Sequence, residues 1–371
     1  MNILYLGGFD LPDKNAAAQR VIANAKALRD MGWNVQLVGL DKLPSSFTYE
    51  GFECVNLKYP SYAKEWIVYL ATIKNYLPFL ENTKPEIVIA YNHPAIALSK
   101  LVDYCKKRSI KTVSDCTEWY TPEGNIIQKA VKGWDTKKRM TDVHLRMDGI
   151  ISISRYLHDY YTEKGVKSLL LPPLVDIQEE KWNIRSEVTP TDEIVLTYAG
   201  SPGHKDALDR LVRIVEGLPE DIAVRFEIVG LNSEHFLSAY HYETEPGSRV
   251  HFNGRLPHRD TLKLLSESDF QIFIREDNIT TKAGFPTKFV ESISAGVPVL
   301  TNLTSNIGDY LSAGVNGFPL DVTSDETLKA SLLRVLMQSR ESITELKESI
   351  DRRMFDYHNY VQSIIQFIEN I

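Results

Sequence analysis

The chain has 371 residues, enough for two domains that each bury a core of their own. Its 43% hydrophobic and 25% charged residues are those of a globular chain and exclude a disordered one. A net charge of −7 gives no sign of a nucleic-acid partner, but the charge is unevenly spread.

The opening residues, MNILYLGGFD, break into glycines at once and read as a strand over 3–6, not as a signal peptide. Gly7 and Gly8 permit close backbone approach, and a helix starting near Asn15 offers free N–H groups. This is not a GxGxxG fingerprint, so a dinucleotide reading has weak support. Val21, Ala25 and Leu28 mark one face of that helix. Further strands are expected over 35–40, 54–57, 87–90, 112–114, 149–153 and 168–171, with helical stretches between most of them. Such alternation means βα units and a mostly parallel sheet. The apolar run over 66–80 is too short to span a membrane and contains Lys74. Cys54, Cys105 and Cys116 are an odd set without metal spacing and suit a reducing compartment.

Residues 1–175 hold 23 Lys and Arg against 18 Asp and Glu, a balance of +5 that leaves −12 for the remainder. The basic half includes Lys106, Lys107, Arg108 and Lys111, then Lys129, Lys132, Lys137, Lys138 and Arg139. Two readings stay open: a face toward acidic lipid or an anionic substrate, or ordinary solvated helix faces. Asn92 and His93 follow the strand over 87–90. Asp115 and Glu118 follow the strand over 112–114, with Trp119 and Tyr120 beside them. Two carboxylates among aromatics suit hydroxyl recognition or proton transfer. The competing reading is a helix start, with Asp115 as N-cap and Glu118 completing a capping box.

Residues 172–190, rich in Pro and charge, read as a linker. A second alternating set follows, with strands expected over 194–198, 224–230, 250–252, 270–274, 297–301 and 317–320. The first leads into Gly200, Ser201 and, before a helix, Lys205, a pattern that suits a diphosphate but is not a Walker A sequence. Gly230 ends the second, Gly254, Arg255 and Leu256 follow the third, and Arg275 follows the fourth.

The segment AGFPTKFVESISAGVPVLTN reads as a helix entry, a short helix, a Gly296 turn and a strand. Gly284 and Pro286 punctuate the entry, followed by Thr287 and Lys288. Lys288 and Glu291, at i and i+3, share a helix face. A lysine in a first turn opposes the macrodipole, so an anion there would account for it; a carboxylate one turn later can accept from two neighbouring hydroxyls. Phosphate and ribose would satisfy both, and a solvated Lys–Glu pair is the other reading. In the last helix Val361, Ile364, Ile365, Ile368 and Ile371 form an apolar stripe.

Taken together, GGFDLPDKNAAAQR, SDCTEWY, DGIISISRYLHDYYTEKGVKSLLLPPLVD, YAGSPGHKD, VHFNGRLPHRDTLKLLSESDF, AGFPTKFVESISAGVPVLTN and DYLSAGVNGFPL resemble family 4 of the retaining, nucleotide-sugar-dependent glycosyltransferases (glycosyl transferases group 1). The last three are the specific part. The resemblance implies an α/β GT-B fold of two Rossmann-like domains facing a central cleft. Residues 1–175 would take the acceptor and 176–354 the nucleotide sugar, with the last helix, about 355–371, packing back on the first. It implies catalytic roles for Lys205, Glu291, Asp115 and Glu118. Lys205 would hold the donor diphosphate and Glu291 the ribose hydroxyls. Gly200, Ser201, Gly230, Gly254, Arg255, Leu256, Arg275, Gly284, Phe285, Pro286, Thr287 and Lys288 would complete the donor site. Gly8, Asn15, Arg20, Asn92 and His93 would lie on the acceptor side. No cofactor or metal is expected. Partners would be a nucleotide sugar and a glycan or lipid-linked glycan, in the cytoplasm, with peripheral contact at an anionic inner membrane face left open. Ala283 stands where the family commonly has a second glutamate, Ser201 near where it has an arginine, and Asp115 or Glu118 where an N-terminal histidine is frequent. Ala283 and the missing arginine keep a non-catalytic glycan-binding or partner subunit as an alternative, and a nucleotide-sugar epimerase on the same fold is a third reading.

Overall fold

The computed structural model describes residues 1–12, 14–122, 124–184, 192–201 and 205–371. The chain forms two compact units, one of residues 1–176, 282–285 and 356–371, the other of 177–281 and 286–355. Among the described residues no helix is long and apolar enough to cross a membrane.

The first unit is built on eight strands: β1 (Asn2–Gly7), β2 (Asn34–Asp41), β3 (Ser45–Tyr49), β4 (Phe52–Lys58), β5 (Ile87–Tyr91), β6 (Lys111–Cys116), β7 (Gly149–Ser152) and β8 (Ser168–Leu170). Their order is β3-β4-β2-β1-β5-β6-β7-β8, and every pairing except β3 with β4 is parallel. The order reverses between β1 and β5. That reversal opens a crevice at the strands' carboxyl ends, where such sheets bind ligands. No residue pattern predicts β3. It has no apolar run and lies mostly exposed; its place is set by the two-residue turn Glu50-Gly51, with φ of 48° and 84°. Positive φ at both turn positions matches strand twist and closes a hairpin.

Helices cover the sheet because their buried faces are apolar. Helix Ala16–Asp30 is capped by Asn15, whose side chain accepts from the Ala18 N–H at 2.9 Å. Val21, Ala25 and Leu28 of that helix enter a core with Ile3, Tyr5 and Leu37. Ile364, Phe367 and Ile368 of helix Val361–Asn370 join the same core. Gly149 is needed there, since a Cβ would meet Phe367 Cζ at 2.6 Å.

The second unit has six parallel strands: β9 (Ile194–Ala199), β10 (Val224–Val229), β11 (Val250–Phe252), β12 (Phe270–Phe273), β13 (Val299–Thr301) and β14 (Gly317–Pro319). Their order is β11-β10-β9-β12-β13-β14, so the reversal lies between β9 and β12.

Candidate functional site

In the second unit three of the expected donor residues, Gly200, Arg275 and Lys288, meet at the β9/β12 reversal. Gly200 ends β9 with φ +125°, and a Cβ there would meet Lys288 Cε at 2.9 Å. Gly230 ends β10 with φ +106°, and a Cβ there would meet the Gly200 carbonyl oxygen at 2.4 Å. The Gly230 N–H donates to the Gly254 carbonyl at 2.7 Å. At Gly200 and Gly230 the turns pack with no room for side chains, which leaves backbone as their lining. Ser201 is exposed beside them, Arg255 is exposed and Leu256 half-buried. Residues 202–204 of the expected phosphate loop, and 185–190 of the expected linker, lie outside the described residues.

Asp206 organises the charge. Its carboxylate accepts from Lys288 Nζ at 2.7 Å and from the Tyr198 hydroxyl at 2.7 Å, and lies 3.4 Å from Arg275 Nε. Lys288 Nζ also stands 5.0 Å over the Tyr198 ring. Burial, then the Asp206 charge, pushes the Tyr198 phenol well above its ordinary value, so it remains a donor. A backbone bridge pairs Asp206 with Arg275 across the strand reversal, and the Ala207 N–H donates to the Ile274 carbonyl at 3.0 Å. Asn302 clamps Arg275 from the other side, accepting its N–H and donating to its carbonyl, each at 2.8 Å. Lys205 is half-buried next to Asp206.

Helix Thr287–Ala295 follows Pro286, and no side chain caps its N-terminus. It ends at Gly296 in the left-handed region, with φ 77°. The Lys288–Glu291 pair expected on one reading is not formed. Lys288 turns to Asp206, and Glu291 Oε1 lies 3.3 Å from His258 Nε2, both half-buried. Residues 282–285 group with the first unit, where the Ala283 carbonyl accepts from Ser154 Oγ at 2.8 Å; Gly284 and Phe285 therefore belong to it as well.

In the first unit two expected site residues are corrected. Asp115 does not follow a strand but lies within β6, fully buried, and among the described residues the next helix after it starts at Ile126, so Asp115 caps no helix. Arg20 Nε contacts both Asp115 oxygens at 3.0 and 3.1 Å, Arg20 Nη2 adds 2.8 Å, and the Tyr5 hydroxyl donates at 2.5 Å. Arg20 Nη1 closes the network on the Leu171 and Pro172 carbonyls, each at 3.0 Å. With both oxygens of Asp115 hydrogen-bonded, Asp115 and Arg20 are turned to each other and withdrawn from solvent. They form a buried ion pair that joins β1, the first helix, β6 and the chain after β8. Asn15 is committed to its cap.

The other acceptor-side residues do sit at the β1/β5 reversal. Gly8 is exposed after β1. Asn92 has φ 40° and exchanges hydrogen bonds with Thr117, Nδ2 to Oγ1 at 2.6 Å and Thr117 N–H to Oδ1 at 3.1 Å. Glu118 is half-buried in the loop after β6. His93 is fully buried, edge-on to the Tyr69 and Tyr76 rings at 5.8 and 5.3 Å. Burial, then the Arg139 charge, lowers the His93 imidazole to about 3. A base lowered in the folded state favours folding fully above its unfolded value near 6.5, and that contribution is lost between pH 6.5 and 3. Wild type is expected to lose about 2 kcal/mol from this residue between pH 6.5 and 5, at roughly 1.4 kcal/mol per pH unit. His93→Gln should flatten that slope in denaturant titrations; an unchanged slope would contradict a buried neutral imidazole.

Residues 180–353 match the family model described as Glycosyl transferases group 1. No curated protein matches the chain by sequence. Among solved structures, the chain is similar to a sucrose-phosphate synthase from Thermosynechococcus elongatus, at 13% identity and TM-score 0.72, covering 99% of this chain and 98% of that one. It is similar to Anabaena HepE in complex with UDP-glucose, at 14% identity and TM-score 0.69, with both chains fully covered. It is also similar to the lipopolysaccharide outer core galactosyltransferase WaaB, at 16% identity and TM-score 0.67, covering 100% and 99%. The fold is GT-B.

On this GT-B frame, sequence reasoning missed Asp206, His258 and Asn302. Asp206 had a signal, because a carboxylate directly after Lys205 could have been asked what it neutralises. His258 and Asn302 had none, since their partners Glu291 and Arg275 are distant in sequence.

Proposed function

We propose that this protein is a glycosyltransferase that moves a sugar from a nucleoside diphosphate donor to a glycan or glycolipid hydroxyl, with retention of configuration and without a metal ion. The observation that carries the reading is the charge cluster at the β9/β12 reversal, where Lys288 and Arg275 meet the carboxylate of Asp206 and Lys205 directly precedes it in the chain. Cations gathered at one strand reversal suit a diphosphate. The uncapped helix at Thr287 adds backbone donors on the same side. The group 1 match over 180–353 covers this cluster.

As the glycosidic bond of the donor breaks, negative charge grows on the leaving diphosphate. Lys205, Lys288 and Arg275 stabilise it, and the fixed placement of Lys288 and Arg275 by Asp206 and Asn302 removes the cost of reorganising those two. Glu291 accepts from the two ribose hydroxyls in place of His258. Glu291→Ala is expected to abolish stabilisation by UDP or ADP in a thermal-shift panel, with little change in the melting temperature of the free protein. A bound ligand at ~100 times its dissociation constant stabilises by roughly 2.7 kcal/mol, enough to resolve the loss. Normal nucleotide binding by this variant would overturn the assignment. Chelation with EDTA is expected to leave turnover unchanged, and strict dependence on Mg²⁺ or Mn²⁺ would refute the metal-free mechanism.

A further inference from the structure

The basic stretch at the end of helix Ile126–Lys138 divides in two. Lys129, Lys132 and Lys137 are exposed, as solvated helix faces require, but Arg139 is only 2% exposed. The helix widens there into a π-turn over Arg139–Val143, a distortion often found at functional sites. The Arg139 guanidinium reaches the carboxyl end of β5, where Nη1 donates to the Asn92 carbonyl at 3.3 Å. This is the β1/β5 reversal, the crevice position of a doubly wound sheet.

The other two guanidinium nitrogens, Nε and Nη2, are buried and have no hydrogen-bond partner, and among the described residues no carboxylate forms an ion pair with Arg139. Asp135, one turn earlier, instead accepts from the Ala95 N–H at 2.8 Å. The Tyr120 ring lies over the guanidinium at 5.1 Å. A cation–π contact returns far less than burying an unpaired cation costs. Tyr120 is 39% exposed, so the cation sits one side chain below the surface. Next to Asn92, both ring nitrogens of His93 and the hydroxyl of its neighbour Tyr76 are likewise buried without partners. Two unmet guanidinium donors on a buried cation, with no carboxylate paired to it among the described residues, call for an acceptor-rich anion.

The chemistry of that anion follows from the free edge. Nε–H and the adjacent Nη2–H lie in one plane and point the same way, which matches two oxygens of a carboxylate or a phosphate. We propose that Arg139 is the anion-binding element of a subsite in the first unit, taking a carboxylate or phosphate carried by the acceptor. That the anion belongs to an acceptor rests on the transferase reading above; the anion site itself does not. Arg139 then accounts for its own burial, because the missing counter-charge arrives with the ligand.

The test is a thermal-shift and calorimetric titration of the full chain with glucose 6-phosphate, glucuronate and glucose, and with UDP as an independent reporter of the second unit. Wild type should be stabilised by at least one of the two anionic sugars and not by glucose, and the stronger one identifies the group. Arg139→Gln should weaken that binding at least tenfold and leave the UDP shift intact. Free Arg139→Gln should melt no lower than wild type, because an uncompensated buried charge has been removed. Should it fail to fold, Arg139→Lys serves, retaining charge but losing the bidentate edge, with weaker anion binding expected. Equal shifts by the anionic sugars in wild type and variant, or none in wild type, would overturn the proposal, as would a lower melting temperature with anion binding unchanged. Loss of the UDP shift in wild type itself would count against the transferase reading and not against this site.

Discussion

Asp115→Ala is expected to destabilise the first unit by about 3–5 kcal/mol, the largest stability effect of any single substitution considered for this protein. The reason is what remains. Arg20 is 3% exposed, and its Nε and Nη2 bonds both end on Asp115. Without the carboxylate a guanidinium stays buried with half its donors unmet, and the Tyr5 hydroxyl and Asn24 amide lose their shared acceptor. Removing both charges is milder. A double variant, Arg20→Met with Asp115→Leu, should recover most of the loss, because an apolar pair of similar volume needs no desolvated charge. Calorimetry on the single and double variants measures the coupling. A domain of this size shifts by roughly 2–4 °C per kcal/mol, so the single change should lower the transition by on the order of 10 °C. The opposite pattern, lost turnover with an unchanged melting temperature, would restore Asp115 to the reacting groups.

That residue shows where sequence reading stops. The alternation of apolar runs and amphipathic stretches identified the strands because parallel strands buried on both faces leave an unmistakable apolar signal. Strand β3 escaped because an exposed edge strand has no such signal and depends on its Glu50-Gly51 turn. The places of Gly200 and Arg275 after strands and of Lys288 at a helix start were legible in residue type and order. Partnership was not. Asp115 looks the same in sequence whether its carboxylate faces a substrate or Arg20, 95 residues away. Arg139 looks like any other member of a lysine-rich helix until the π-turn carries it inward. Long-range pairing of polar side chains is fixed by tertiary packing, and one sequence holds no local trace of it.

Lys288→Met is the change expected to affect activity most, lowering kcat/KM by roughly 10² to 10³, the usual cost of removing one fixed group that stabilises developing charge. On this proposal Lys288 is the fixed cation. Its ammonium is fixed by Asp206 at 2.7 Å and by the Tyr198 ring, beside an uncapped helix start and against Gly200, where any side chain would collide with it. The folded structure should tolerate the loss, since Asp206 keeps Arg275 and Tyr198 as partners. Lys288 and Glu291 lie one turn apart on one helix, yet they should fail differently. Lys288→Met should weaken pyrophosphate and UDP together, because both present the diphosphate. Glu291→Ala should weaken UDP and leave pyrophosphate unchanged, because only UDP presents ribose hydroxyls to that carboxylate. Titration of both ligands into both variants separates the two roles. If Lys288→Met binds pyrophosphate as tightly as wild type, the cation cluster around Asp206 is structural and the diphosphate must sit elsewhere. If Glu291→Ala loses pyrophosphate as well, the pair acts as one electrostatic unit, and the ribose assignment fails while the phosphate assignment stands.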